Sequence, residues 1–269
     1  MIAKCLHGVP FLFFENLLQF NNLSHAISTR SGGASSAPYA SLNLGADTGD
    51  APERVVKNYE IVSSALGFTL AALVTSQQVH GNQVAVIDDS FIGRSTFAVE
   101  PLLHGYDALT TKKPGRMLMV RVADCVPVIL FAPEQKMVAV VHAGWRGTLA
   151  GIAGETVREM VLRHHADPGA IRAGIGPAIG PCCYRVQEAV ADVFKRAPDL
   201  YTAVFRESGG ELFLNLWEAN RLQLLQQGVP DCNIEVAGLC TACRPDLFFS
   251  YRGEKGKTGR FGAFAGLGT

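Results

Sequence analysis

The chain has 269 residues, a formal net charge of zero and an apolar share of 48%, the composition of a globular protein with a substantial core. A neutral chain lacks the electrostatic footprint of a nucleic-acid binder. No apolar run reaches the length of about 18 residues that a bilayer-spanning helix needs, so no membrane partner is expected.

The opening stretch MIAKCLHGVPFLFFENLLQF is apolar, but its run FLFF meets Glu15 at once and no small-residue cleavage site follows. It reads as an opening strand or loop rather than an export signal. The cysteines, at positions 5, 125, 182, 183, 232, 240 and 243, are odd in number and include an adjacent pair. Without an export signal they read as reduced thiols of a cytoplasmic protein. Residues 28 to 50 are rich in Gly, Ser and Ala and lack apolar periodicity, which predicts a long loop, a feature that often carries function.

Pro52 then opens a helix, with Val55, Tyr59, Val62 and Leu66 at helical spacing along one face. Strand-like runs follow at 70–77, 83–88, 117–122, 127–132 and 137–143. The last three are nearly continuous apolar runs, as in central strands covered on both faces. A helix is expected over 148–163, weakened by Gly151 and Gly154, then a strand over 171–176, helices over 186–195 and 214–227, and strands over 234–239 and 247–252. Strands outnumber helices and come in runs. This pattern predicts an α+β fold with mixed sheets, not a doubly wound sheet, and a single domain over 1–269.

Three stretches carry chemistry: QQVHGNQ (77–83) with His80, VADCVPV (122–128) with Cys125, and VVHAGWRG (140–147) with His142. PVILFAPEQKMVAVV should form a hairpin turning near Pro133, which brings the start of one strand beside the end of the other and so Cys125 beside His142. Such a pair suits nucleophilic attack by a thiolate or metal ligation. His80 as a third ligand favours the metal and leaves a fourth position open, the catalytic rather than the structural arrangement. Arg146, where a helix starts beside His142, suits an anionic or polar substrate group. Cys240 and Cys243 form one CxxC, but Cys182 and Cys183 are adjacent and supply no second one. A structural zinc is therefore disfavoured there, and reduced thiols near a loop are expected. GIGPAIGPCCYRV (174–186) reads as a tight structural turn.

The motifs QVHG (78–81), ADCVPV (123–128), HAGWRG (142–147) and IGPCCYRV (179–186), with TRSGGASSAPYASLNLG (29–45) and FFSYRGEKGKTGR (248–260), resemble the laccase-domain family of YfiH type. Members of that family are described as polyphenol oxidases and as purine nucleoside phosphorylases. The resemblance runs from about residue 25 to 262. It implies a four-layer α/β/β/α fold, similar to the cysteine-hydrolase domain of cytotoxic necrotizing factors. It also implies His80, Cys125 and His142 as ligands of zinc, or alternatively copper, and a substrate cleft around the metal with Arg30, Asn43, Gln78 and Arg146 as candidates for lining it. Val122 stands where the family pattern has Thr, and the ending RFGAFAGLGT lacks the family's apolar close, which would weaken the last strand.

The implied reactions are phosphorolysis of adenosine, inosine and methylthioadenosine, and deamination of adenosine, with nucleoside and phosphate as small-molecule partners. Seven histidines and no HxH pair do not supply a trinuclear copper cluster, so polyphenol oxidation would be secondary to adventitious copper. Asp124 and His104 are candidate proton-transfer groups by residue type alone. The alternatives are an amidase acting on peptidoglycan precursors, a metal-free cysteine hydrolase using Cys125 and His142, and a metal- or partner-binding module without turnover.

Overall fold

The structure, a computed structural model, describes residues 1–89 and 103–268. In chain order the elements are β1 (Ile2–Leu6), β2 (Val9–Phe13), α1 (Glu15–Leu18), β3 (Leu23–Ser28), α2 (Pro52–Leu66), β4 (Leu73–Val74), β5 (Ser76–Gln77) and β6 (Val84–Ile87). Then come β7 (Leu103–His104), β8 (Ala108–Thr111), β9 (Met117–Val122), β10 (Val126–Ala132), β11 (Met137–Ala143), α3 (Trp145–Leu149) and α4 (Ile152–His164). The rest are β12 (Arg172–Ile175), β13 (Arg185–Val186), α5 (Glu188–Phe194), α6 (Pro198–Val204), β14 (Phe205–Ser208), β15 (Glu211–Leu214), α7 (Leu216–Gln226), β16 (Ile234–Val236) and β17 (Phe261–Leu267).

Two six-stranded sheets dominate, ordered β1-β2-β3-β17-β9-β4 and β16-β12-β10-β11-β8-β6. Each mixes parallel and antiparallel pairs, as β4 with β9 and β6 with β8 are parallel. The alternation of side chains along a strand distributes them between two cores. On β10, Ile129 and Phe131 face the first sheet's Leu118, Val120 and Phe261, whereas Val126, Val128 and Leu130 join Ile152, Val157 and Leu224 of α4 and α7. The far side of the first sheet, with Phe11, Met119 and Phe264, packs on Val55, Tyr59 and Val62 of α2. The result is the expected α+β architecture in four layers: helix, sheet, sheet, helix. Each buried Phe or Leu of these cores contributes about 1.5–3 kcal/mol by leaving water.

The hairpin β10–β11 forms as its apolar runs predict, with Val126 opposite Ala143 and Pro127 opposite His142. The helix Pro52–Leu66 ends on Gly67, whose φ of 74° suits a residue without Cβ. Three expectations are corrected. The helix expected over 148–163 breaks at Gly151, whose φ of 83° lies in the left-handed region, giving α3 and α4. Residues 247–252 are not a strand: their aromatic run is apolar because Phe248 and Phe249 plug the core from irregular backbone between two turns. The ending is not weak. Phe261–Leu267 is an interior strand, fully buried, between β3 and β9, and its small residues allow close approach. A Cβ on Gly266 would lie 2.4 Å from the Arg116 carbonyl oxygen. The loop over 29–51 is irregular as expected. Among the described residues no helix is long and apolar enough to cross a membrane.

Candidate metal centre and cavity

Hairpin register brings the first two candidate ligands together. Cys125 immediately precedes β10 and His142 sits near the end of β11, opposite Pro127, two residues along from Cys125. His80 arrives on the segment between β5 and β6, with a backbone φ of 62° that a non-glycine residue adopts only when its surroundings impose it. The imposing group is Asp107, fully buried at the start of β8. Its carboxylate accepts the backbone N–H groups of Val79 (3.2 Å), His80 (2.9 Å) and Gly81 (2.7 Å). The same carboxylate lies 2.8 Å from His142 Nδ1, and the His142 N–H donates to the Asp107 carbonyl at 2.7 Å. One side chain thus orients two imidazoles, whose ring centroids are 4.7 Å apart at 76°.

One ligand atom each from His80, Cys125 and His142 lie within 4.8 Å of one another. Gly144 makes room for them: a Cβ there would come within 2.7 Å of His80 Cδ2 and 3.0 Å of Cys125 Sγ. Burial opposes ionisation of the Cys125 thiol, but His142 and then His80 outweigh it and hold the thiol down to about 6. Burial likewise opposes protonation of His142, yet Cys125 and Asp107 push it up to about 9. The site therefore favours a thiolate. One sulfur and two nitrogen donors, with a carboxylate fixing one imidazole through Nδ1 and leaving Nε2 as its ligand atom, fit a three-ligand metal site with an open fourth position.

A cavity of about 500 Å³ opens over these residues, within the range of small-molecule sites. Arg121, Arg146, Arg252 and Arg260 line it, together with Trp145, Tyr184 and Tyr251, whose rings lie under Arg146, Arg252 and Arg260 respectively. Burial pushes Tyr184 up to about 12, so its hydroxyl stays protonated. Gln78 and Arg146, both expected at the cleft, are on its wall. Gln78 is clamped to β9, its Nε2 donating to the Arg121 carbonyl and its Oε1 accepting the Arg121 N–H, each at 2.8 Å.

Arg30 and Asn43 are placed elsewhere. Arg30 donates to the carbonyls of Ala40 and Pro245, pairs with Glu254 at 3.0 Å and lies over the Phe249 ring. Asn43 is fully buried, donating to Thr48 and Asp50 and accepting from the Arg260 N–H. Both fasten the 29–51 loop to the C-terminal segment, and neither is among the cavity-lining residues. Asp124 does line the cavity, but its carboxylate is taken up by Thr241 Oγ1 (2.6 Å), Ser250 Oγ (2.7 Å) and the Arg252 N–H (2.6 Å). His104 is exposed, bonded to Gln77 and outside the lining. Asp107, Arg121, Arg252 and Arg260 escape the sequence-based expectations. Their only local signal is an acidic or basic residue at the edge of an apolar run.

The fold also gathers Cys182, Cys183, Cys240 and Cys243, whose sulfur atoms lie within 4.8 Å of one another. The thiols are free, as expected, but they are not scattered: a β-bridge between Ala178 and Cys240 joins the two segments that carry them.

The sequence pattern described as "Multi-copper polyphenol oxidoreductase laccase" matches residues 24–268. A purine nucleoside phosphorylase, YlmD of Geobacillus stearothermophilus, is 43% identical over 89% of this chain and 88% of its own length. A protein named adenosine deaminase RL5, from an unknown prokaryotic organism, is 38% identical over 80% of this chain and 82% of its own. Among solved structures, the hypothetical protein YfiH of Bacillus licheniformis superposes with a TM-score of 0.92 at 36% identity, covering 98% of both chains.

Proposed function

This chain belongs to the laccase-type family described as multi-copper polyphenol oxidoreductases, and we propose that within it the protein is a zinc-dependent purine nucleoside enzyme that phosphorolyses adenosine, inosine and methylthioadenosine and deaminates adenosine. The observation that carries the reading is the placement of the His80, Cys125 and His142 donors in the wall of a cavity that combines four arginines with three aromatic residues. The names of the relatives, purine nucleoside phosphorylase and adenosine deaminase, point the same way.

When bound, the metal supplies Lewis-acid polarisation at one open position. The protein's own residues do the rest. Arg146 and its neighbours Arg121, Arg252 and Arg260 offer planar, permanently charged donors suited to phosphate oxygens. Trp145, Tyr184 and Tyr251, each with an arginine over one face of its ring, offer apolar contact to a purine. In phosphorolysis an oxygen of hydrogen phosphate bonds to the ribose C1′ as the C1′–N9 bond breaks, and the purine leaves with the proton that the phosphate gives up. In deamination water oxygen bonds to C6 and ammonia departs. Holding the two reactants in one small cavity replaces a bimolecular encounter with a positioned one.

The test removes metal with a chelator and returns zinc stepwise, following hypoxanthine release from inosine and phosphate. Turnover should rise as zinc fills the His80–Cys125–His142 site and be lacking in Cys125→Ala. Full turnover by metal-depleted protein would overturn the metal-dependent reading. It would favour instead a cysteine nucleophile, which the lowered Cys125 thiol would otherwise support.

A further inference from the structure

Outside the cavity, the most concentrated chemistry in the described residues is the group Cys182, Cys183, Cys240 and Cys243. We propose that these four thiolates hold a second, structural metal ion of the zinc class, which clamps together two loops that wall the nucleoside cavity.

The distances support one shared ion. Cys243 Sγ is 3.6 Å from Cys182 Sγ and 3.4 Å from Cys183 Sγ. Zinc–sulfur bonds of about 2.3 Å in a tetrahedron set the sulfurs about 3.8 Å apart, close to these separations. A disulfide needs about 2.05 Å, and all four cysteines are free. All four donors lie within 4.8 Å of one another, so small side-chain adjustments bring them to one shared ion. A site with four protein sulfurs leaves no open position, the arrangement of a structural rather than a catalytic metal.

The backbone is built around the sulfurs. The Ala178–Cys240 bridge is extended by the Thr241 N–H donating to the Ala178 carbonyl at 3.0 Å. It points the Gly180 N–H at Cys240 Sγ, 3.2 Å away, a donor suited to a thiolate's charge. Position 180 tolerates nothing larger: a Cβ would lie 2.8 Å from the Trp217 ring and 3.2 Å from Cys182 Sγ.

The clamp has a mechanical consequence for the first site. One joined segment carries Ile179 and Tyr184, and the other leads to Tyr251 and Arg252, all on the cavity wall. Thr241, between the two ligands of the CxxC, donates to Asp124 at 2.6 Å, and Asp124 precedes Cys125 at a φ of 87°. The proposal does not depend on which reaction the cavity performs.

The experiment is metal analysis of purified full-length protein beside Cobalt(II) reconstitution. The wild type should bind one zinc equivalent more than the His80–Cys125–His142 site accounts for. Cys125→Ala should retain that equivalent and, loaded with Co²⁺ alone, show the intense sulfur-to-cobalt charge-transfer absorption of a tetrathiolate. The double variant Cys182→Ser/Cys183→Ser should lose the band. Because the Cys125→Ala spectrum reads the site with all four cysteines intact, misfolding of the double variant leaves the result decisive. Cys125→Ala protein that binds neither zinc nor Co²⁺, or whose cysteines titrate as a disulfide on native isolation, would overturn the proposal.

Discussion

Asp107 Oδ1 lies 2.8 Å from His142 Nδ1, and through the same carboxylate Asp107 also holds the backbone of His80. Burial works against its ionisation, but His142 and the N–H groups of Gly81 and His80 outweigh this and hold the carboxyl below its ordinary range. Removing it should loosen two ligands at once. Asp107→Ala is expected to weaken metal affinity by about 10–100-fold or more, read by competition with a chromogenic chelator. Unchanged affinity would mean that Asp107 serves folding alone.

Gly144→Ala tests the crowding of the site from the opposite side. Its methyl group would sit 2.7 Å from His80 Cδ2 and 3.0 Å from Cys125 Sγ, while its φ of −73° is open to any residue. The variant should fold with near-native circular dichroism and lose metal from the first site. Full metal occupancy would show that the ligands tolerate displacement.

Arg30 and Arg146 should separate into a fastening and a substrate-facing residue. Arg30→Ala breaks the half-buried pair with Glu254 and removes the part-buried hydrogen bond to the Ala40 carbonyl, at a cost of about 0.5–1.5 kcal/mol. It should lower the melting temperature and leave KM for phosphate unchanged. Arg146→Ala should do the reverse, raising KM for phosphate about tenfold or more, a loss of about 1.4 kcal/mol in binding, without a change in melting.

His25 supplies a pH dependence of stability. Its Nε2 accepts the Phe14 N–H at 3.0 Å, and it packs between the Phe13 and Phe14 rings. Burial lowers it from 6.5 to about 4. The unfolded chain therefore takes up a proton that the folded chain refuses between these values. This contribution to stability is intact above about pH 6.5 and is lost progressively as pH falls to about 4, amounting to about 3 kcal/mol. Urea unfolding across that window should show the slope, and His25→Gln, which keeps an acceptor but does not titrate, should flatten it.

Much of the site was legible because it rests on local patterns. The continuous apolar runs of β10 and β11 define a hairpin, and hairpin register alone sets Cys125 beside His142. His80 entered as a ligand because its residue type completes a donor set. Asp107 was not legible, since nothing local distinguishes a carboxylate that collects three distant N–H groups from one that faces water. The cysteine cluster was hidden for a similar reason: spacing within CTAC and within the Cys182–Cys183 pair says nothing of the bridge at Ala178 and Cys240 that joins them. Arg30 and Asn43 lie in a motif that does shape the cavity's surroundings, yet their side chains fasten loops. The absence of the family's apolar close does not weaken β17, whose Gly262, Ala263, Ala265 and Gly266 are small. Buried between two strands, their small size permits close packing.

The most direct test of the central claim is chromatographic product analysis of adenosine incubated with zinc-loaded protein, with and without phosphate, beside Cys125→Ala. Adenine formed only with phosphate, together with inosine formed in either condition, and both lost in the variant, is the predicted result. No product from zinc-loaded wild type would contradict the nucleoside reading and turn attention to amide hydrolysis at the same metal.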